Sequence, residues 1–134
     1  MIEGDGGFAM NTQELEVIRR LNLPIKIFVL DNNGYGSIRN SQRVWFQHEV
    51  GCDPDSGLTL PASLYIADAY CIESYVMARN DTISEKLDGI LSNNCPAIIN
   101  VLTNPNQQTL PRVQSYKDET GKMRTKCMED MRVI

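Results

Sequence analysis

Two short runs carry the residues whose types could do chemistry together: Gly4-Asp5-Gly6-Gly7 and Asn32-Asn33-Gly34-Tyr35-Gly36. A carboxylate on Asp5, an asparagine carboxamide oxygen and an exposed glycine carbonyl are hard oxygen donors, suited to Mg²⁺ or Ca²⁺. They are too few to fill six positions, so a ligand's phosphates or water must complete the shell. Gly6 and Gly7 add backbone N–H groups with no side chain in the way, close to a helix N-terminus, which favours anionic oxygens. The combination predicts a site for a metal that carries a diphosphate. Two other readings compete. Each glycine run could be turn chemistry alone, since Asn-Gly and Asp-Gly are common tight-turn pairs. Gly4-x-Gly6-x-x-Ala9 also matches the glycine spacing of a NAD-binding domain, but Asp5 between the first two glycines would repel a pyrophosphate unless a cation intervened.

Positioning two such runs side by side requires a particular set of elements. Asp5 and Asn32 are 27 positions apart, enough for a helix and a strand that return the chain to the same sheet edge. A helix of about 12 residues is roughly 18 Å long and a strand of about 6 residues roughly 20 Å. Asn11 to Glu14 fits a capping box, and Leu15, Ile18 and Leu21 or Leu23 supply an apolar stripe, so a helix is expected there, ending near Asn22 and Pro24. Ile25 to Leu30 reads as a strand buried on both faces and stopped by Asp31-Asn32-Asn33-Gly34. A helix over Leu60 to Tyr70, a strand over Glu73 to Ala78, a helix from Asp81 through Leu91 and a strand over Ala97 to Leu102 follow. Asn80-Asp81-Thr82 starts the second of those helices; as a glycosylation sequon it carries little weight. The alternation predicts an α/β fold, a parallel β-sheet flanked by helices. Gly51 to Gly57 reads as a loop without an element of its own, and beyond Thr103 the signals fade. Residues 1–105 are therefore expected to form the domain and 106–134 a tail.

The chain has 134 residues, a net charge of −4 and a pI near 4.9, which bounds it to one ordinary core and favours neither nucleic acid nor an anionic membrane as partner. Its longest apolar stretches fall far below membrane-spanning length. Beyond Leu110, six Lys/Arg face four Asp/Glu, so the tail is basic on an acidic body and reads as solvated. Cys52, Cys71, Cys95 and Cys127 are widely spaced, form no CxxC pair and read as free thiols of a cytoplasmic protein. His48, the one imidazole, lacks a nucleophile signature around it and reads as structural or exposed. Arg39, Gln42 and Arg43 could reach a substrate carboxylate, but a solvated helix face is the simpler expectation, and Met123, Met128 and Met131 read as adaptable packing.

Gly4-Asp5-Gly6 followed by Asp31-Asn32-Asn33-Gly34-Tyr35-Gly36 resembles the thiamine diphosphate motif, which opens with GDG and closes on asparagine. Phe8 to Leu15 and Leu23-Pro24-Ile25-Lys26 resemble acetolactate synthases. The resemblance is strong from Gly4 to about Gln42, looser to Pro105, and returns at Glu129-Asp130-Met131. It implies the C-terminal, diphosphate-binding domain of a thiamine-diphosphate-dependent lyase or transferase. By that resemblance Asp5, Asn32 and the Gly34 carbonyl bind Mg²⁺, and Gly6 and Gly7 donate to the diphosphate, with Gly4, Tyr35 and Gly36 completing the cofactor-binding residues. The substrate implied is a 2-keto acid, with pyruvate as plausible donor, and FAD belongs to some full-length members. The family's catalytic glutamate sits in a separate N-terminal domain supplied across a dimer interface, so no catalytic residue is assigned here and the isolated chain is expected to be inactive and its enzyme a homo-oligomer. The strand before Gly4 is expected to be missing from an N-terminally truncated fragment. Asn40-Ser41 stands near the place where the family has a substrate-lining tryptophan, which leaves the acceptor open. A non-catalytic metal-binding or dimerisation module is the competing function.

Overall fold

Four parallel strands, in the spatial order Ile2–Gly4, Lys26–Asp31, Ala97–Leu102, Glu73–Met77, form the centre of the molecule. The computed structural model describes residues 1–80, 83–107, 113 and 115–127. In chain order the elements are β1 (Ile2–Gly4), α1 (Asp5–Met10), α2 (Leu15–Arg20), β2 (Lys26–Asp31), α3 (Gly36–Trp45), α4 (Ser63–Ala69), β3 (Glu73–Met77), α5 (Ile83–Ser92), β4 (Ala97–Leu102), β5 (Ser115–Lys117) and β6 (Met123–Thr125). The fold is α/β, a parallel sheet flanked by helices, as expected. The proposed helix start at Asp81-Thr82 and the Glu129-Asp130-Met131 segment, with Met128 and Met131, lie outside the described residues.

Alternation of side chains along the strands explains why both sheet faces are covered. Ile27, Val29 and Ile98 point to one face, where Phe8 of α1, Leu15 of α2, Ala67 of α4 and Ile72 close the core. Ala97 and Ile99 point to the other and pack with Met77 and Ile90 of α5. Residues 97–100 of β4 are all buried, because this strand has a paired neighbour on each side, β2 and β3.

Four local expectations change. Ile2–Gly4, thought too short to keep the strand before Gly4, forms β1 and pairs in parallel with β2, Ile2 opposite Phe28 and Gly4 opposite Leu30. The capping box at Asn11 does not form: the Asn11 side chain makes no cap bond, and a 3₁₀ turn over Thr12–Glu14 precedes α2. The helix has already begun at Asp5, so Asn11 ends one helix instead of starting another. Within Gly51 to Gly57, Pro54–Ser56 makes a 3₁₀ turn with a true capping box, in which Asp53 accepts from Ser56 N–H at 2.9 Å and Ser56 Oγ accepts from Asp53 N–H at 3.0 Å. In the segment read as featureless, β5 and β6 pair antiparallel around Gly121, whose φ of +80° suits the turn. His48 is exposed, and Cys52, Cys71 and Cys95 are thiols, Cys52 buried.

Ile98 is fully buried, so Ile98→Ala is expected to lower unfolding free energy by about 2–5 kcal/mol in urea titrations. Tyr65→Ala, at a 79% exposed position, should stay within about 0.5 kcal/mol. The Asp118 carboxyl is held down to about 2, chiefly by the Thr120 hydroxyl and then by Arg124. Because this folded value lies below the ordinary one, its contribution to the hairpin is complete above about pH 4 and is lost as pH falls towards 2. NMR shifts of β5 and β6 amides should follow that acid titration.

Candidate cofactor site

Both glycine runs sit where the parallel register requires, at the C-terminal ends of adjacent strands. Gly4 ends β1 opposite Leu30, one residue before β2 ends at Asp31. The chain then turns sharply at each place. Gly4 is the N-cap of α1, whose first residue is Asp5. After β2, Asn33 adopts φ +63° and Gly34 φ +131°, and Asn33 N–H is held by Asp31 Oδ1 at 3.1 Å, an Asx-type turn that favours this sequence.

A single carboxylate joins the two runs. Asp5 Oδ1 accepts from Gly6 N–H and Asp5 Oδ2 from Gly34 N–H, each at 2.8 Å. Burial raises the Asp5 pKa and the Asp31 charge adds to that, while the amides of Gly34, Gly6 and Asn32 oppose it. The net shift is upward, so ionised Asp5 is not fully compensated by the protein around it.

The expected metal ligands stand as follows. Asp5 and Gly34 are brought into direct contact. Asn32 Oδ1 is buried with no hydrogen-bond partner, an uncompensated acceptor of the kind a cation satisfies. Asn33 is exposed, which favours Asn32 of the two. The Gly34 carbonyl accepts from Gly36 N–H at 3.0 Å and retains a second lone pair. Among the cofactor-binding residues, Gly6 is covered by the Tyr35 ring, onto which a Cβ would intrude, and Gly7 faces the Glu3 carboxylate. In this geometry Gly6 N–H is committed to Asp5. Gly36 lies against the Asn32 carboxamide, whose Nδ2 would be 2.5 Å from a Cβ there. The donor set fits a hard divalent cation carrying a diphosphate: one under-compensated carboxylate, one orphaned carboxamide oxygen and one main-chain carbonyl.

Two residues that motif spacing did not single out, Ser63 and Asn100, join the site. A cavity of about 250 Å³ beside the loop is lined by Asp5, Asp31, Gly34, Ser63 and Asn100 among others, with no lysine or arginine among the described residues. Asn100 Nδ2 donates to Asp31 Oδ2 at 3.1 Å, while Asn100 Oδ1 and Ser63 Oγ are buried without partners. Asn100 had a legible signal, a carboxamide inside the otherwise apolar run Ala97 to Leu102. Ser63 had none.

The family described as thiamine pyrophosphate enzyme, C-terminal TPP binding domain, matches residues 1–101. The chain belongs to that family. Within this thiamine pyrophosphate family it is 34% identical over 113 residues to the acetolactate synthase isozyme 2 large subunit of Escherichia coli, covering 84% of this chain and 20% of that one. It is 32% identical over 117 residues to a probable acetolactate synthase large subunit of Methanocaldococcus jannaschii, covering 84% and 18%. A thiamine diphosphate-dependent 4-hydroxybenzoylformate decarboxylase of Rhodococcus jostii RHA1 shares the fold, with TM-score 0.66 and 23% identity over 77% of this chain and 19% of that one. The chain thus spans about a fifth of the length of the relatives it matches. No helix among the described residues is long and apolar enough to cross a membrane.

Gly34→Ala combines a positive φ with intrusion on the Cys52 carbonyl. It is expected to cost about 1–3 kcal/mol in chemical denaturation, whereas Gly51→Ala, at φ +61° with open space around it, should cost about 1 kcal/mol.

Proposed function

We propose that this chain holds the Mg²⁺-diphosphate end of thiamine diphosphate in an enzyme that decarboxylates a 2-keto acid and transfers or releases the product. Two observations together carry the reading: Asp5 is bonded across both loops, and Asn32 Oδ1 in the second loop is buried without a partner. Asp5, Asn32 and the Gly34 carbonyl are the Mg²⁺ ligands, and the first turn of α1 with Gly6 and Gly7 faces the diphosphate. Thiamine diphosphate, when bound, supplies the electron sink for breaking the bond between the keto carbon and the carboxylate. The chain's own part is to bind and orient: Asp5 offsets the metal's charge, and its own hydrogen bonds hold that carboxylate in place before the metal arrives.

Residues 1–105 form the cofactor-holding unit in this reading and 106–134 a tail. In this reading turnover requires a further domain or a second subunit, and the chain alone is inactive. The donor is a 2-keto acid such as pyruvate. The setting in this reading is cytoplasmic.

Calorimetric titration with thiamine diphosphate tests the reading. Heat of binding is expected with Mg²⁺ and not with chelator, and Asp5→Ala should lower affinity at least about 100-fold, since removing one hard ligand of a small set costs several kcal/mol. Asn32→Ala should behave alike and Asn33→Ala should be close to wild type. Binding that ignores both Mg²⁺ and Asp5→Ala would sink the assignment.

A further inference from the structure

Helix α3 follows the metal loop directly, and three polar residues on one of its faces hold other segments against it. Arg39 is 3% exposed, although a buried guanidinium costs several kcal/mol unless its charge and its N–H groups are met. They are met by three segments. Nη2 donates to the Asn32 carbonyl at 2.9 Å and to the Pro105 carbonyl at 3.0 Å, and Nη1 to Asp53 Oδ2 at 3.4 Å. One turn on, Gln42 accepts from Val50 N–H at 2.8 Å and donates to its carbonyl at 3.1 Å. Arg43 donates to Asn106 Oδ1 at 2.8 Å and pairs with Glu49. The spacing 39, 42, 43 puts all three on one helix face. Neither a substrate contact nor a solvated face describes Arg39.

The segment that Arg39 docks is in turn the floor of the metal loop. Tyr35 N–H donates to the Cys52 carbonyl at 2.8 Å, and Gly34 lies so close to Cys52 and Asp53 that no Cβ fits between them. Asp53 is kept in place by its capping box with Ser56. A chain of contacts therefore runs from Arg39 through Asp53 and Cys52 to Gly34, whose N–H meets Asp5, and a second, direct contact runs from Arg39 to the peptide of Asn32.

We propose that Arg39 is the positioning residue of the metal loop: it fixes the Asn32 peptide, from which the liganding carboxamide projects, and locks residues 49–57 beneath Gly34. The role of the loop in binding metal rests on the function proposed above; the positioning itself does not. Lysine is not an equivalent, because its single nitrogen replaces a planar fork that serves three acceptors.

Amide hydrogen exchange on the metal-free chain reads the positioning directly. In Arg39→Gln the amides of Gly34 and Tyr35 are expected to exchange about tenfold faster or more, while Ile98 and Ile99 in β4 keep their wild-type rates, as a local opening requires. Arg39→Lys should recover only part of the protection. Should Arg39→Gln not fold, Asp53→Asn weakens the same pair and is expected to expose Tyr35 with the core intact. Unchanged rates at Gly34 and Tyr35, or equal acceleration at Ile98 and Ile99, would overturn the proposal. A parallel titration with Mg²⁺ and inorganic diphosphate should show about tenfold weaker binding in Arg39→Gln than in wild type, partly restored by lysine. Wild-type silence in that titration contradicts the cofactor reading alone, because the exchange rates decide the positioning without any ligand.

Discussion

The 2.8 Å bond from Gly34 N–H to Asp5 Oδ2 is the contact on which the site depends, because it ties together two loops that the chain reaches 29 residues apart. Parallel pairing of β1 with β2 brings the strand ends to one edge, but pairing alone leaves the two turns free to point apart. The Asp5 carboxylate, accepting one amide from each loop, sets their relative placement. That constraint explains why glycine stands at Gly34: only a residue without a side chain can take φ +131° and still admit the Cys52 carbonyl.

The same edge collects oxygen without matching hydrogen. Burial, and to a lesser extent the charge of Asp31, raises the Asp5 pKa, and Asn32, Ser63 and Asn100 each bury an oxygen with no partner. Each orphaned acceptor costs on the order of 1–3 kcal/mol, and a folded domain tolerates such a cluster most readily where a ligand meets it. Positive charge is close by yet directed elsewhere: Arg39 spends its N–H groups on carbonyls and on Asp53. The protein thus builds the frame with arginine and, in the proposed function, leaves the carboxylate and carboxamide oxygens to a cation.

Much of this was legible in the sequence because it is local or periodic. The interval from Asp5 to Asn32, the apolar runs of β2 and β4 and the Asn-Gly turn are one-dimensional signals, and they located the sheet, its edge and the two loops. The misses have physical causes. Asn11 and Glu14 carry capping-box types, yet α1 begins at Asp5 because the turn after β1 has already started the helix. Two residues before Gly4 suffice for β1 because β2 offers it a ready edge. The roles of Arg39 and Asp53 depend on contacts 14 residues apart and on the Pro105 carbonyl 66 away, and no spacing rule distinguishes such an arginine from a solvated one. Ser63 and Asn100 come to line one cavity only after folding.

Paramagnetic broadening by Mn²⁺ in the presence of inorganic diphosphate tests the central claim, that the two loops form one cation site, most directly. The account predicts loss of the Gly6 and Gly34 amide signals and of the Asn32 side-chain amide at low Mn²⁺, and none of this in Asp5→Ala. Broadening centred instead on Glu49, Cys52 and Asp53, whose ligand atoms lie within 4.8 Å of one another, would contradict it.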